Sequence, residues 1–266
     1  MNPVLSVARN ELAILIRSRM VPAYVGFILI LATTEAMAAP SYLAAPDALD
    51  RTTEFLLCVG DPFFFVSLVT MLVAMCVGGM SVANDRSRGA LDVLITKPMY
   101  RRDVMLGKIA GGWAFMFLLS VIGEALVVSV LMIFVGVPGS FGELFLRAGT
   151  FVVLLSAEAV FTLALVMLFG LLLSKAEALI VAVCFISIEW LTTSFPLNYI
   201  LPGPLMFLDP RNIYYYATIL PDIKLFDATT SYGVWLGNDL PYIVLLFAEV
   251  AVLVLIDCMA FNRKDS

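Results

Sequence analysis

The sequence predicts an all-α integral membrane protein, with six transmembrane helices, an N-terminal amphipathic interfacial helix and a re-entrant outer hairpin before the last span. Three observations lead there. Of 266 residues, 62% are hydrophobic and 14% charged, and the mean hydropathy is +1.00, more apolar surface than one water-soluble domain of this size can hide. The apolar residues come in stretches of membrane-crossing length, and the basic residues gather between alternate stretches.

The same composition narrows function. Sixteen Lys and Arg against twenty-one Asp and Glu leave a net charge of −5, whereas a nucleic-acid partner calls for a basic stripe. Histidine is absent, which excludes a histidine base and the helical H-E-x-x-H zinc site. Cys58, Cys76, Cys184 and Cys258 form no C-x-x-C pair, so neither a zinc site nor a disulfide framework is signalled.

Taking the elements in order, Leu5, Ala8, Leu12, Leu15 and Ile16 share one helical face with Ser6, Asn10 and Arg17 opposite, although Val7 and Ile14 interrupt the stripe. This reads as a helix lying along the membrane surface. The basic residues, the apolar run and the small string Ala36 to Ala39 imitate a cleavable signal peptide, but its charged region would be unusually long and itself helical in pattern. Crossing ~30 Å of hydrocarbon takes ~20 helical residues. Six stretches qualify, at about 21–39, 63–83, 113–135, 150–173, 178–195 and 241–261. The fourth and fifth are separated only by Ser174, Lys175, Ala176 and Glu177 and are expected to pair tightly. No linker or repeat divides the chain, and residues 1–266 read as a single membrane domain.

Orientation follows from Lys and Arg near span ends, which stay in the cytoplasm. Twelve fall on one face: Arg9, Arg17, Arg19, Arg86, Arg88, Lys97, Arg101, Arg102, Lys108, Lys175, Arg263 and Lys264. The other face holds four, Arg51, Arg147, Arg211 and Lys224, so both termini are expected in the cytoplasm.

Residues 84–109 form the most charged loop, with six of the sixteen basic residues. Within it Leu91, Leu94 and Ile95 fall at i, i+3 and i+4, a short apolar helical face that Pro98 ends. One reading is a loop whose charges only fix topology. The other is a docking helix, because topology alone does not require an apolar face in water.

The residues of this loop carry a resemblance. Gly89-x-Leu91-Asp92-x-Leu94, then Pro98-x-x-Arg101, then Gly107-Lys108 resembles the signature of ABC type-2 transporter permeases, the membrane subunits of many ABC exporters. Glu11 and Arg17 in the first helix and a longer outer loop before the last span fit the same layout. Ala90, Asp92 and the pair Asn84-Asp85 depart from that family's usual residues. The resemblance implies export, a coupling helix at Gly89 to Pro98 that docks on a separate ATP-binding subunit, and coupling roles for Arg86, Gly89, Leu91, Asp92, Leu94, Pro98, Arg101 and Lys108. It further implies a second permease, identical or related, and short re-entrant helices in the last outer loop.

That loop spans 196–239. Pro196, Pro202, Pro204, Pro210 and Pro221 break it, while the run from Leu197 to Leu208 is too apolar for water and too short to cross, which suggests a re-entrant or interfacial hairpin. Tyr214, Tyr215, Tyr216, Tyr232 and Trp235 fit an aromatic belt at the outer headgroups, in preference to substrate contact.

Within the spans, Glu35, Glu124, Glu158, Glu189 and Glu249 have no Lys or Arg beside them in the sequence. Unpaired acids there are costly. Glu124, Glu158, Glu189 and Glu249 either serve as neutral hydrogen-bond donors to neighbouring helices or line a translocation path. Gly107 and Gly111, with Gly78-Gly79, permit close helix approach.

The chain has no G-x-x-x-x-G-K-[ST] loop, so it is expected to bind no cofactor itself and to catalyse nothing, with ATP and Mg on the partner subunit. A stand-alone proton-coupled transporter using the intramembrane Glu residues is the competing reading, though paired Gly/Pro-interrupted spans are not evident. Partners expected are therefore an ATPase subunit, a second permease and membrane lipid, and no nucleic acid.

Overall fold

The computed structural model describes residues 3–42, 51–87, 101–173, 177, 180–181, 183–184, 187, 210–218, 225–227 and 229–263. Among these the regular structure is entirely helical. A short α1 (Pro3–Ile16) turns at Ser18 into α2 (Met20–Tyr42), and two long helices follow, α3 (Arg51–Ser87) and α4 (Arg101–Phe134). Then come α5 (Phe141–Leu172), a nine-residue α6 (Pro210–Thr218) and α7 (Tyr232–Arg263). Five helices are long and apolar enough to cross a membrane, with crossing segments at Met20–Ala38, Arg51–Ser81, Arg102–Phe134, Phe141–Leu172 and Tyr232–Phe261. They match the expected first, second, third, fourth and sixth spans. The stretch expected as span five, 178–195, lies largely outside the described residues, and those of its residues that are described, 180–181, 183–184 and 187, are helical.

The crossing helices α3, α4, α5 and α7 start nine to twelve residues before their apolar stretches do, and in two of them a proline stands at that junction. Asp61-Pro62 interrupts the hydrophobic run of α3, and Pro241 stands where the run of α7 begins, yet both prolines sit inside continuous helix. Membrane helices tolerate interior proline because neighbouring groups satisfy the freed backbone carbonyl. The stretch expected as outer loop therefore contains α6 and the first two turns of α7.

The helices alternate in direction. Lys108, near the start of α4, donates to Ser81, near the end of α3. α3 and α5 run the same way, with Phe63 against Phe151 at one end and Gly78 against Leu163 and Val166 further along. α5 and α7 also begin together, joined by the hydroxyls of Thr150 and Tyr232 at 2.8 Å. The turn between α4 and α5 uses Gly136 at φ +108, the left-handed region that glycine enters without strain. Ser140 then caps α5 by accepting from the Glu143 amide.

Glycine sets the closest approaches. A Cβ on Gly107 would stand 2.6 Å from the Val7 Cβ, and one on Gly111 would stand 2.7 Å from the Ala8 carbonyl oxygen. The packed face of α1 is thus Val4, Val7, Ala8, Glu11 and Leu15, while Leu5, Ile14 and Ile16 are exposed. This differs in part from the face expected from hydrophobicity. Ala8, Leu12 and Leu15 pack inward as expected, but Val7, which interrupts the apolar stripe, is central to the contact because the glycines of α4 let the two backbones approach there, while Leu5 and Ile16 are left exposed.

Candidate functional site

Deep in the bundle, four long helices and α6 bring polar side chains together. Tyr24 of α2 meets Thr70 of α3 through a 3.1 Å hydroxyl contact, and both are buried. Gly123 makes this possible, since a Cβ there would fall 2.5 Å from the Tyr24 hydroxyl. Glu124, next on α4, is 4% exposed, acts electrostatically on the Tyr24 hydroxyl, and has one carboxyl oxygen without a hydrogen bond among the described residues. Glu158 of α5 is as deeply buried and pairs with Arg211 of α6 at 3.9 Å. Tyr214, one turn along α6, faces Ser67, Thr218 and the carboxyls of Glu158 and Glu124. Its hydroxyl is buried and has no hydrogen bond among the described residues.

Glu158, expected to lack a basic neighbour, has one supplied from the loop before the last span. Sequence spacing hides the pairing because the partners are fifty-three residues apart and Arg211 counts, with Arg147, among the basic residues of the other face. Tyr214 and Trp235 are buried at 2% and 0% exposure, not placed at a headgroup belt. Trp235 donates its indole N–H to the Ala217 carbonyl at 3.0 Å, which ties α7 to α6.

Arg147 of α5 is fully buried and organises the end where α5 and α7 begin. Its guanidinium pairs with Glu143 at 2.7 Å and donates to the carbonyls of Leu225, Asp227 and Thr230. The segment leading into α7 is thereby clamped to α5, where Phe226 packs with Phe63 and Phe151. Arg147 lies eleven residues before Glu158, about 16 Å along a helix, so α6 starts well below the clamped segment.

At the opposite end, Lys108 lies 3.8 Å from Glu11 and donates to Ser81 at 3.0 Å, with Ser81 also donating to Glu11. This joins α1, α3 and α4 beside the loop expected to hold the coupling helix. Gly89, Leu91, Asp92, Leu94 and Pro98 lie outside the described residues, as does Glu189. Arg86 falls in the last turn of α3 and Arg101 opens α4, with the side chains of both also outside. Glu249 lies partly buried on α7, and Glu35 partly buried on α2.

Asp257 is an in-span acid additional to those read from the sequence. It is fully buried, and neither carboxyl oxygen has a hydrogen bond among the described residues. Its position one turn from the expected end of the last span suggests a carboxylate reaching water, but α7 continues to Arg263. Among the described residues, no three Asp, Glu or Cys side chains converge as a metal site would require.

A bundle of five helices long and apolar enough to cross a membrane, with a buried polar centre and a clasped end, defines a multi-pass membrane protein. The family model of the ABC-2 family transporter proteins matches residues 5–266, and the chain belongs to that family, as a permease component of ABC transport. No curated protein matches the chain.

Proposed function

We propose that the chain lines the translocation path of an ABC exporter in the cell membrane and is driven by a separate ATP-binding subunit that holds ATP and Mg. The chain itself binds no cofactor and performs no catalysis. Family membership over residues 5–266 is the observation that carries this reading. Two paired permeases, identical or related, would enclose the path.

The connection from drive to path is mechanical. α3 and α4 flank the loop 84–109 and run unbroken to Ser67, Thr70, Gly123 and Glu124, on the order of 30 Å away at ~1.5 Å per residue. Closure of the ATPase subunits would press the Gly89 to Pro98 helix, and the Glu11, Ser81 and Lys108 contacts would carry α1 with α3 and α4 as one unit. Tilting that unit changes the geometry around Glu124 and Glu158; Glu249 on α7 and Glu189 are proposed as further path residues.

A sixth span is supported by direction. α5 and α7 start at the same end, so the chain leaving Leu172 at the other end has to recross before α6 and α7 begin, and 178–195 is the apolar stretch available. A re-entrant assignment for α6 is supported by Arg211 reaching Glu158 below the Arg147 clamp. A cytoplasmic location for the α1 end and both termini is supported by the twelve-to-four distribution of basic residues.

Charge reversal at Arg86, Asp92 or Arg101 tests the coupling. The expected result is an assembled complex whose ATP hydrolysis no longer responds to the permease. Unchanged hydrolysis in all three variants would rule out the coupling role of this loop.

A further inference from the structure

A cavity of about 220 Å³ opens between α3, α5, α6 and the segment clamped by Arg147; neither Glu124 nor Glu158 lines it, and Thr218 is shared with their cluster. Its walls include Phe64, Phe151, Tyr215 and Phe226, with Thr218 and Asp61 as the polar residues. The aromatic wall is built in advance. Phe226 stands edge-on to Phe63 at 5.0 Å and to Phe151 at 5.6 Å between ring centres, and Phe151 also touches Tyr214 at 5.9 Å. Such contacts hold rings at fixed angles.

Asp61 is exposed and has no ion pair or hydrogen bond among the described residues. It shares its electrostatic neighbourhood with Glu35 and, through Cys58, with Glu54. The cavity therefore combines a negative mouth with aromatic walls. An organic ammonium ion satisfies both, with its charge toward the carboxyl and its alkyl surface against ring faces that attract cations. A neutral apolar ligand leaves the acids unused, and an anion is repelled by them. A hydrated metal ion gains little from the rings.

We propose that this cavity is a binding site for a compact organic ammonium ion, quaternary or protonated, with an apolar or aromatic body. The volume suits a body of about ten heavy atoms, below that of typical drug-sized pockets. The chemistry is shared by free amines and by choline-type lipid headgroups. The site does not depend on coupling to an ATPase, since binding is measured on the permease alone.

The test uses benzyltrimethylammonium as probe and the full chain in nanodiscs of phosphatidylglycerol, which contains no ammonium headgroup. Saturable binding is expected, weakened about tenfold in Asp61→Asn and about threefold in Phe64→Leu or Tyr215→Leu. Asp103→Asn, at the opposite end of the bundle, is expected to bind as the unaltered chain does. Nanodiscs of phosphatidylcholine distinguish the sources: competition by this lipid assigns the site to a headgroup, and unimpeded binding assigns it to a free amine. Asp61 is exposed, so Asp61→Asn leaves the packing intact, and each variant is accepted only if monodisperse after heating as the parent is. Absence of saturable binding in phosphatidylglycerol, or equal affinity in Asp61→Asn, overturns the proposal.

Discussion

Replacing Arg147 by Met keeps most of the side-chain volume and removes the charge, leaving three carbonyls, those of Leu225, Asp227 and Thr230, without their donor. A buried acceptor deprived of its partner costs ~1–3 kcal/mol. Glu143, the fourth partner, is 32% exposed and rehydrates at little cost. Some relaxation around three clustered carbonyls is expected, so the loss falls at ~3–5 kcal/mol, the range for breaking a buried ionic contact from one side. Arg147→Lys restores charge, but its single ammonium cannot reach acceptors spread around a planar fork, and about half the loss remains. The assay is the fraction of monodisperse protein surviving a temperature series, with a midpoint lowered on the order of 10 °C for Arg147→Met. A local readout accompanies it. In a chain with Trp113 and Trp190 changed to Phe, emission from Trp235 should shift to the red as the clamped segment loosens and its bond to Ala217 opens. An Arg147→Met chain with unshifted emission and a midpoint within 2 °C of the parent would refute the clamp.

Gly107→Ala should separate α1 from α4, since the new methyl would stand 2.6 Å from Val7; ~1–3 kcal/mol of overpacking is expected, read as faster proteolysis of the N-terminal helix. Equal proteolysis rates would mean that α1 adjusts without cost. For the Glu158 and Arg211 pair, each single change, Glu158→Gln or Arg211→Met, should destabilise more than the two combined. Additive losses in that double-mutant cycle would show that the 3.9 Å contact contributes no coupling.

How far the sequence discloses this molecule depends on which interactions are local. Apolar length marks each of the five described crossing helices, because lipid demands a continuous apolar run whatever the helix packs against. The apolar stretches do not mark where the helices begin, since α3 and α7 continue through Pro62 and Pro241, whose rings neighbouring groups accommodate. Gly107 and Gly111 announce close approach, but not that α1 is what approaches. Long-range polar contacts are the least visible. Arg147 and Arg211 count as ordinary outer-face charges until the chain folds, when one gathers carbonyls from the segment before α7 and the other meets Glu158. Asp257 lies inside the last apolar stretch, and its complete burial becomes visible only in the fold.

The central claim is that this permease is driven by a separate ATPase through the segment Gly89 to Pro98. Affinity purification of the tagged chain from gently solubilised native membranes, with mass spectrometry and an ATP hydrolysis assay, addresses it most directly. An ATP-binding subunit in near-stoichiometric amount, lost when Leu91 and Leu94 are both changed to Asp, is the predicted result. A clean permease without ATPase activity, or a subunit retained at full level by the double variant, would contradict it.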